Sequence, residues 1–118
     1  MKRSWGDDMD RPELELLQGT LDVLILKALS RGPHHGYAVA RWIAERTRDE
    51  LVIEDGALYT ALHRLQKRGW VRGQWGRSEN NRAAKYYELT ATGQRQLHAS
   101  VSLWERYAAA VSRVLQTA

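Results

Sequence analysis

A mainly helical domain with one small β-hairpin is the fold class this sequence predicts, and three observations carry it. Apolar residues recur at helical spacing in four separate stretches. Between the third and the fourth, the period changes to that of two short strands around a polar loop. The last stretch, from Thr90 to about Gln116, spaces its apolar residues in alternating steps of four and three, the seam by which one helix pairs with another. With 118 residues the chain has room for one small core. The expected division is a flexible tail at 1–10, a compact unit at 11–89 and a C-terminal helix at 90–118.

Met1 to Asp10 mix charge, glycine and one tryptophan without a period. Pro12 suits the first turn of a helix running to about Ser30. Leu14, Leu17 and Leu21 fall at helical spacing, and from Leu21 to Leu29 the helix is apolar nearly all round, as a central core helix is. Its first half, with Leu14 and Leu17, meets either a partner chain or the rest of its own monomer. Arg31 to Gly36 is dense in turn residues, with His34 and His35 expected in an exposed turn. A second helix follows from Tyr37 to about Arg48, with Val39, Ala40, Ile43 and Ala44 inward.

The stretch from Ile53 to Val71 is the one the rest serves. Leu58, Ala61, Leu62 and Leu65 share one side of a helix, while Gly56, Thr60, His63 and Lys67 share the other, flanked by Tyr59 and Arg64. Asp55 suits the positive end of the helix dipole and Gly69 a left-handed ending. The outward face is small, then hydroxylated, then basic, which suits a helix lying in a DNA major groove. Three short helices with a basic third one look like a helix-turn-helix core.

Trp70 to Trp75 and Ala84 to Leu89 read as strands, with a polar loop from Gly76 to Arg82. A hairpin directly after such a helix makes a wing. From Arg64 to Lys85 the charges are Arg64, Lys67, Arg68, Arg72, Arg77, Arg82 and Lys85, opposed within that stretch by Glu79. Phosphate binding calls for one sign of charge because each neutralised phosphate releases counterions.

Thr90 is placed to cap the final helix, and Gly93 weakens its first turn slightly. Leu97, Val101, Trp104, Ala108, Val111 and Leu115 form the seam, with Leu103, Tyr107, Ala110 and Val114 beside it. A small winged domain cannot cover the far end of so long a helix, so the same helix of a second copy is expected to, giving an isologous homodimer.

Other classes are bounded by absences in the sequence. Without cysteine there is no disulfide or thiolate chemistry, which sits easily with a cytoplasmic protein. His34, His35, His63 and His98 show no metal-ligand spacing, no serine carries a nucleophile motif, and neither catalysis, a metal nor a cofactor is expected. No signal-peptide apolar region follows the N-terminal charges, and Val23 to Leu26 is too short to span a membrane. RNA binding lacks a platform of stacking aromatics. The alternative to DNA binding is a winged helix used for protein contact, a co-regulator that does not itself touch DNA. Trp42, Trp70 and Trp75 are assigned no ligand.

Several separated motifs, in order, resemble the PadR-like transcriptional regulators. They are Leu17-Gln18-Gly19-Thr20-Leu21, Gly36-Tyr37, Gly56-Ala57-Leu58-Tyr59 with Leu62-His63-Arg64-Leu65, and Lys85-Tyr86-Tyr87-Glu88-Leu89-Thr90 with Gly93. The likeness spans about Leu16 to Leu115 and is similar to the short subfamily with one C-terminal helix. It implies a winged-helix homodimer that binds an inverted-repeat operator, usually as a repressor, and releases it when a planar aromatic molecule binds. It further implies that Tyr37 contacts the DNA backbone, that Tyr59, Thr60, His63 and Arg64 lie on the recognition helix, and that Arg82 and Lys85 lie on the wing. Trp104 matches a position where some members stack ligands across the dimer axis, and the small Ser100, Val101, Ala108 and Ala109 around it leave room for a slot. Two features depart from the pattern. The wing reads Asn81-Arg82-Ala83-Ala84-Lys85, lacking one basic residue and a proline, and Glu54 stands where a better N-cap is usual.

Overall fold

The computed structural model describes residues 19–77 and 79–118. The expected tail at 1–10, the start of the first helix at Pro12, and Leu14 and Leu17 with their expected interface lie outside the described residues.

Helix α1 covers 19–29 of the described residues, and its near-continuous apolar surface is met on several sides: Leu21, Ile25, Leu26, Ala28 and Leu29 are all buried. Gly32, at φ +125°, turns the chain out of it. Where an exposed turn was expected, His34–His35 form a short strand, β1, and both histidines are half-buried. Two residues are too few to show a period, which is why the strand left no trace in the pattern. Helix α2 spans Gly36–Arg46, starting one residue ahead of Tyr37, with the His35 imidazole accepting from the Ala38 N–H at 3.1 Å as its cap. It stops short of Arg48, because Thr47 Oγ1 donates to the Ile43 carbonyl and accepts from the Leu51 N–H, closing the turn. Arg48 and Asp49 then adopt positive φ.

Helix α3 spans Asp55–Lys67, and the side chain of Glu54 makes no capping bond. At its other end Gly69, at φ +79°, lets its N–H reach the Gln66 carbonyl and the Trp70 N–H reach that of Leu65, the paired bonds of a Schellman ending. Strands β2 (Val71–Arg77) and β3 (Ala83–Leu89) run antiparallel from Val71↔Leu89 to Arg77↔Ala83, and β1 adds to the far side of β3 in the order β1-β3-β2. Thr90 caps helix α4 (Ala91–Leu115) by accepting from the Gly93 N–H at 3.0 Å. Its hydroxyl also donates to the Gly69 carbonyl at 2.6 Å, so one threonine ties the end of α3 to the start of α4.

The core joins α1, α2 and α3, with Val71 and Tyr87 from the hairpin and Leu97 from α4. Leu97 was expected on the intersubunit seam. At 5% exposure it belongs to its own domain instead, and Val101 packs partly against the same core. The seam therefore divides: its first two members are held by the monomer because α4 leaves β3 in contact with the core, and the stripe becomes exposed only from Leu103 and Trp104 onward.

Candidate nucleic-acid interface

Burying Leu58, Ala61, Leu62 and Leu65 fixes the roll of α3 and turns Gly56, Tyr59, Thr60, His63 and Lys67 outward, all exposed. Tyr37, 62% exposed on the first turn of α2, stands beside this face. The two helices meet at Gly36, where a Cβ would lie 2.8 Å from Tyr59 Cε1, so the absence of a side chain there lets the Tyr59 ring rest on the start of α2. Burial, and secondarily the nearby Tyr59, push the Tyr87 hydroxyl above its usual pKa range. An aromatic row continues toward the hairpin: His35 stacks on Tyr37 with centroids 6.3 Å apart and meets Tyr86 edge-on at 5.7 Å.

Arg64 departs from its expected place among the DNA-facing residues. It is half-buried and turned onto α1, where its guanidinium donates to both carboxylate oxygens of Asp22, at 2.5 and 3.3 Å. The helical wheel placed it on a flank, and a flank residue can turn either way. Arg72 likewise pairs with Glu88 across the hairpin. Two of the seven cations counted in the sequence thus face acids that lie outside the Arg64–Lys85 stretch, so the basic excess is smaller than the local count suggested.

The remaining wing residues are held with definite geometry. Arg77 donates to the Asn81 carbonyl at 3.1 Å, and Asn81 itself turns the tip at φ +60°. Tyr86 donates its hydroxyl to the Arg77 carbonyl at 3.2 Å. Arg82 is exposed at the tip. Lys85 is half-buried: it crosses toward α3, its ammonium 3.3 Å from Gln66 Oε1 and 5.5 Å from the centre of the Tyr87 ring. Gln66 had no expected role, and a single glutamine on a helix flank offers no signal that it links the wing to α3.

A groove of about 380 Å³ runs between Gly19, Thr20 and Val23 of α1 and Ser100, Leu103, Trp104 and Tyr107 of α4. Trp104 and Ser100, both expected at a ligand site, line it, and Ala108 does not. Among the described residues no group of three His, Asp or Glu side chains could hold a metal ion, and no helix is long and apolar enough to cross a membrane.

The fold and sequence have counterparts of known class. A transcriptional regulator of the PadR family from Eggerthella lenta has 31% identity, with a TM-score of 0.77 over 97% of both chains. A transcriptional regulator from Clostridium thermocellum has 27% identity and a TM-score of 0.77 over 84% of this chain and 96% of its own. A PadR-like regulator from Bacillus cereus has 26% identity and a TM-score of 0.75 over 88% of this chain and 99% of its own. Residues 25–99, from the middle of α1 through the wing to the start of α4, match the model of the transcriptional regulator PadR-like family. The order of helices, the wing and that match agree, and the chain belongs to the PadR-like family of transcriptional regulators.

Proposed function

We propose that this protein is a sequence-specific DNA-binding repressor that acts in the cytoplasm as a homodimer on an inverted-repeat operator. The observation that carries this is the face of α3. It presents Tyr59, Thr60, His63 and Lys67 together, with Tyr37 on one side and a wing bearing Arg77, Arg82 and Lys85 on the other. His63 and Thr60 read base edges, Tyr37 and the wing cations hold phosphate, and Gly56 keeps the entering end of the helix small. The second subunit is recruited through α4, whose Trp104, Ala108, Val111 and Leu115, with Leu103, Tyr107 and Val114, form the stripe that its own domain leaves largely uncovered.

The groove beside Trp104 supports release by a planar aromatic effector. Its α1 wall includes Thr20 and Val23, and Asp22, between them in sequence, grips Arg64 of α3. A ligand that spreads α1 from α4 therefore pulls on the helix that reads DNA.

The test is a footprint on the DNA upstream of the protein's own reading frame, followed by affinity measurements over a range of salt. Specific protection, and an affinity that falls steeply with salt, are expected. Arg82→Ala and Lys85→Ala should each lower the salt slope by roughly one unit. Absence of any duplex binding at low salt refutes the reading in favour of a protein-contact co-regulator.

A further inference from the structure

Trp75 is the large apolar group left uncovered on the wing, 69% exposed, and it takes no part in the hydrophobic core or in the packing against it. In the β2–β3 register it stands directly opposite Lys85, and cross-strand partners project from the same sheet face. Alternation along β2 places Gly73 and Val71 on that face too. Val71 is buried at the inner end, so the face runs outward from the core, past α3, to Trp75.

Lys85 does not lie along the indole; it leans the other way. It passes over bare backbone at Gly73, where a Cβ would meet its Cε at 2.5 Å, and reaches Gln66 of α3. The other neighbours of Trp75 on that face are Ala83, too short to lie across a tryptophan ring, Arg77, whose guanidinium turns to the Asn81 carbonyl, and Tyr87, which is buried. The outcome is a bare aromatic plate on the side of the wing that is bonded to α3, within a segment carrying Arg77, Arg82 and Lys85. A single exposed apolar side chain is ordinary on a protein surface. This one differs by its setting, on a basic hairpin and on the sheet face from which Lys85 reaches Gln66 of α3.

We infer that Trp75 is itself a nucleic-acid contact: its ring packs on the deoxyribose wall of the duplex groove next to the one that α3 enters, while the neighbouring cations hold the flanking phosphates. Apolar side chains carried into a minor groove alongside basic residues are a recurring mode of duplex contact, and the sugars lining that groove present C–H edges to such a ring. The surrounding positive charge selects a polyanion over an apolar protein surface. This inference rests on the DNA-binding reading above and adds a contact whose energy is not electrostatic.

The two are separable by experiment. The protein's five tryptophans are replaced by 5-fluorotryptophan, the Trp75 fluorine resonance is assigned from a Trp75→Phe variant, and mixed-sequence duplex DNA is titrated in at low salt. The Trp75 resonance should shift. Trp75→Ala should bind roughly tenfold more weakly, the amount expected when about 55 Å² of apolar ring surface no longer leaves water. Its salt slope should equal the parent's, because no charge has been removed. If the parent binds duplex while the Trp75 resonance stays fixed and Trp75→Ala binds as tightly, the inference is overturned and DNA binding stands. A lowered slope in Trp75→Ala also overturns it, since the loss would then come through the cations. If the parent binds no duplex, both fall together.

Discussion

Arg64 offers the clearest separation between a DNA contact and a structural tie. In the structure it bridges α3 to α1 through two hydrogen bonds to Asp22, with 29% of its side chain and 20% of Asp22's exposed. A fully exposed ion pair contributes about 0–1 kcal/mol, whereas a hydrogen bond to a charged group contributes about 1.5–3 kcal/mol. Partial burial and fork-like geometry place this pair between the two ranges, and Arg64→Ala also leaves a half-buried carboxylate unpaired. The expected destabilisation is about 2 kcal/mol, or a fall in Tm of roughly 8 °C. Urea unfolding of Arg64→Ala, Asp22→Ala and the double variant, at one protein concentration, should return a coupling of about 1–1.5 kcal/mol. The salt slope of DNA binding should stay unchanged in Arg64→Ala, because the guanidinium is engaged by Asp22. A coupling below about 0.5 kcal/mol together with a slope lowered by about one would show that Arg64 holds phosphate, and the tie would be dismissed.

Gly93→Ala should cost about 2–3 kcal/mol or more, because its Cβ would sit 2.0 Å from the Trp70 carbonyl oxygen and backbone cannot swing aside; an unchanged urea midpoint would contradict that contact. Val111→Asp with Leu115→Asp should yield monomers in sedimentation, since both would place charge in a desolvated seam. A parent protein already monomeric at micromolar concentration would remove the seam altogether. Planar aromatic compounds should quench tryptophan emission, and Trp104→Ala should abolish the quenching while leaving a dimer that binds DNA. Dissociation of Trp104→Ala, with no compound perturbing the parent's fluorescence, would make Trp104 simple packing.

What was legible in the sequence was whatever repeats. The buried side of α3 could be read because four apolar residues share one helical face, and the hairpin because its strands change the period. Thr90 could be read as a cap because capping is local chemistry. The partners of Arg64 and Arg72 could not, since Asp22 lies 42 residues away and Glu88 16 residues away. Pairing across such distances is settled by packing, and a local tally of charge does not contain it. The same limit hid the division of the α4 seam. A step of four and three marks a face that must be buried without saying by what, and Leu97 and Val101 are covered by their own domain.

The glycines show most directly how contacts between elements escape a local reading. In the sequence Gly93 reads as a small loss of helix propensity, yet in the structure it is where α4 abuts the Trp70 backbone. Gly36 reads as part of a turn, yet it admits the Tyr59 ring between α2 and α3, while Gly73 lets Lys85 cross from the wing to Gln66. These three contacts join α4 to the end of α3, α2 to α3, and the wing to α3. What differs is the group a methyl would meet: backbone at 93, an aromatic ring at 36, and the end of a flexible lysine at 73. The cost of adding one should fall in that order, because a carbonyl fixed by the main chain cannot yield, a ring can tilt, and a lysine can choose another rotamer. A methyl is thus tolerated least where α4 abuts the backbone at the end of α3, and most where Lys85 crosses from the wing to Gln66.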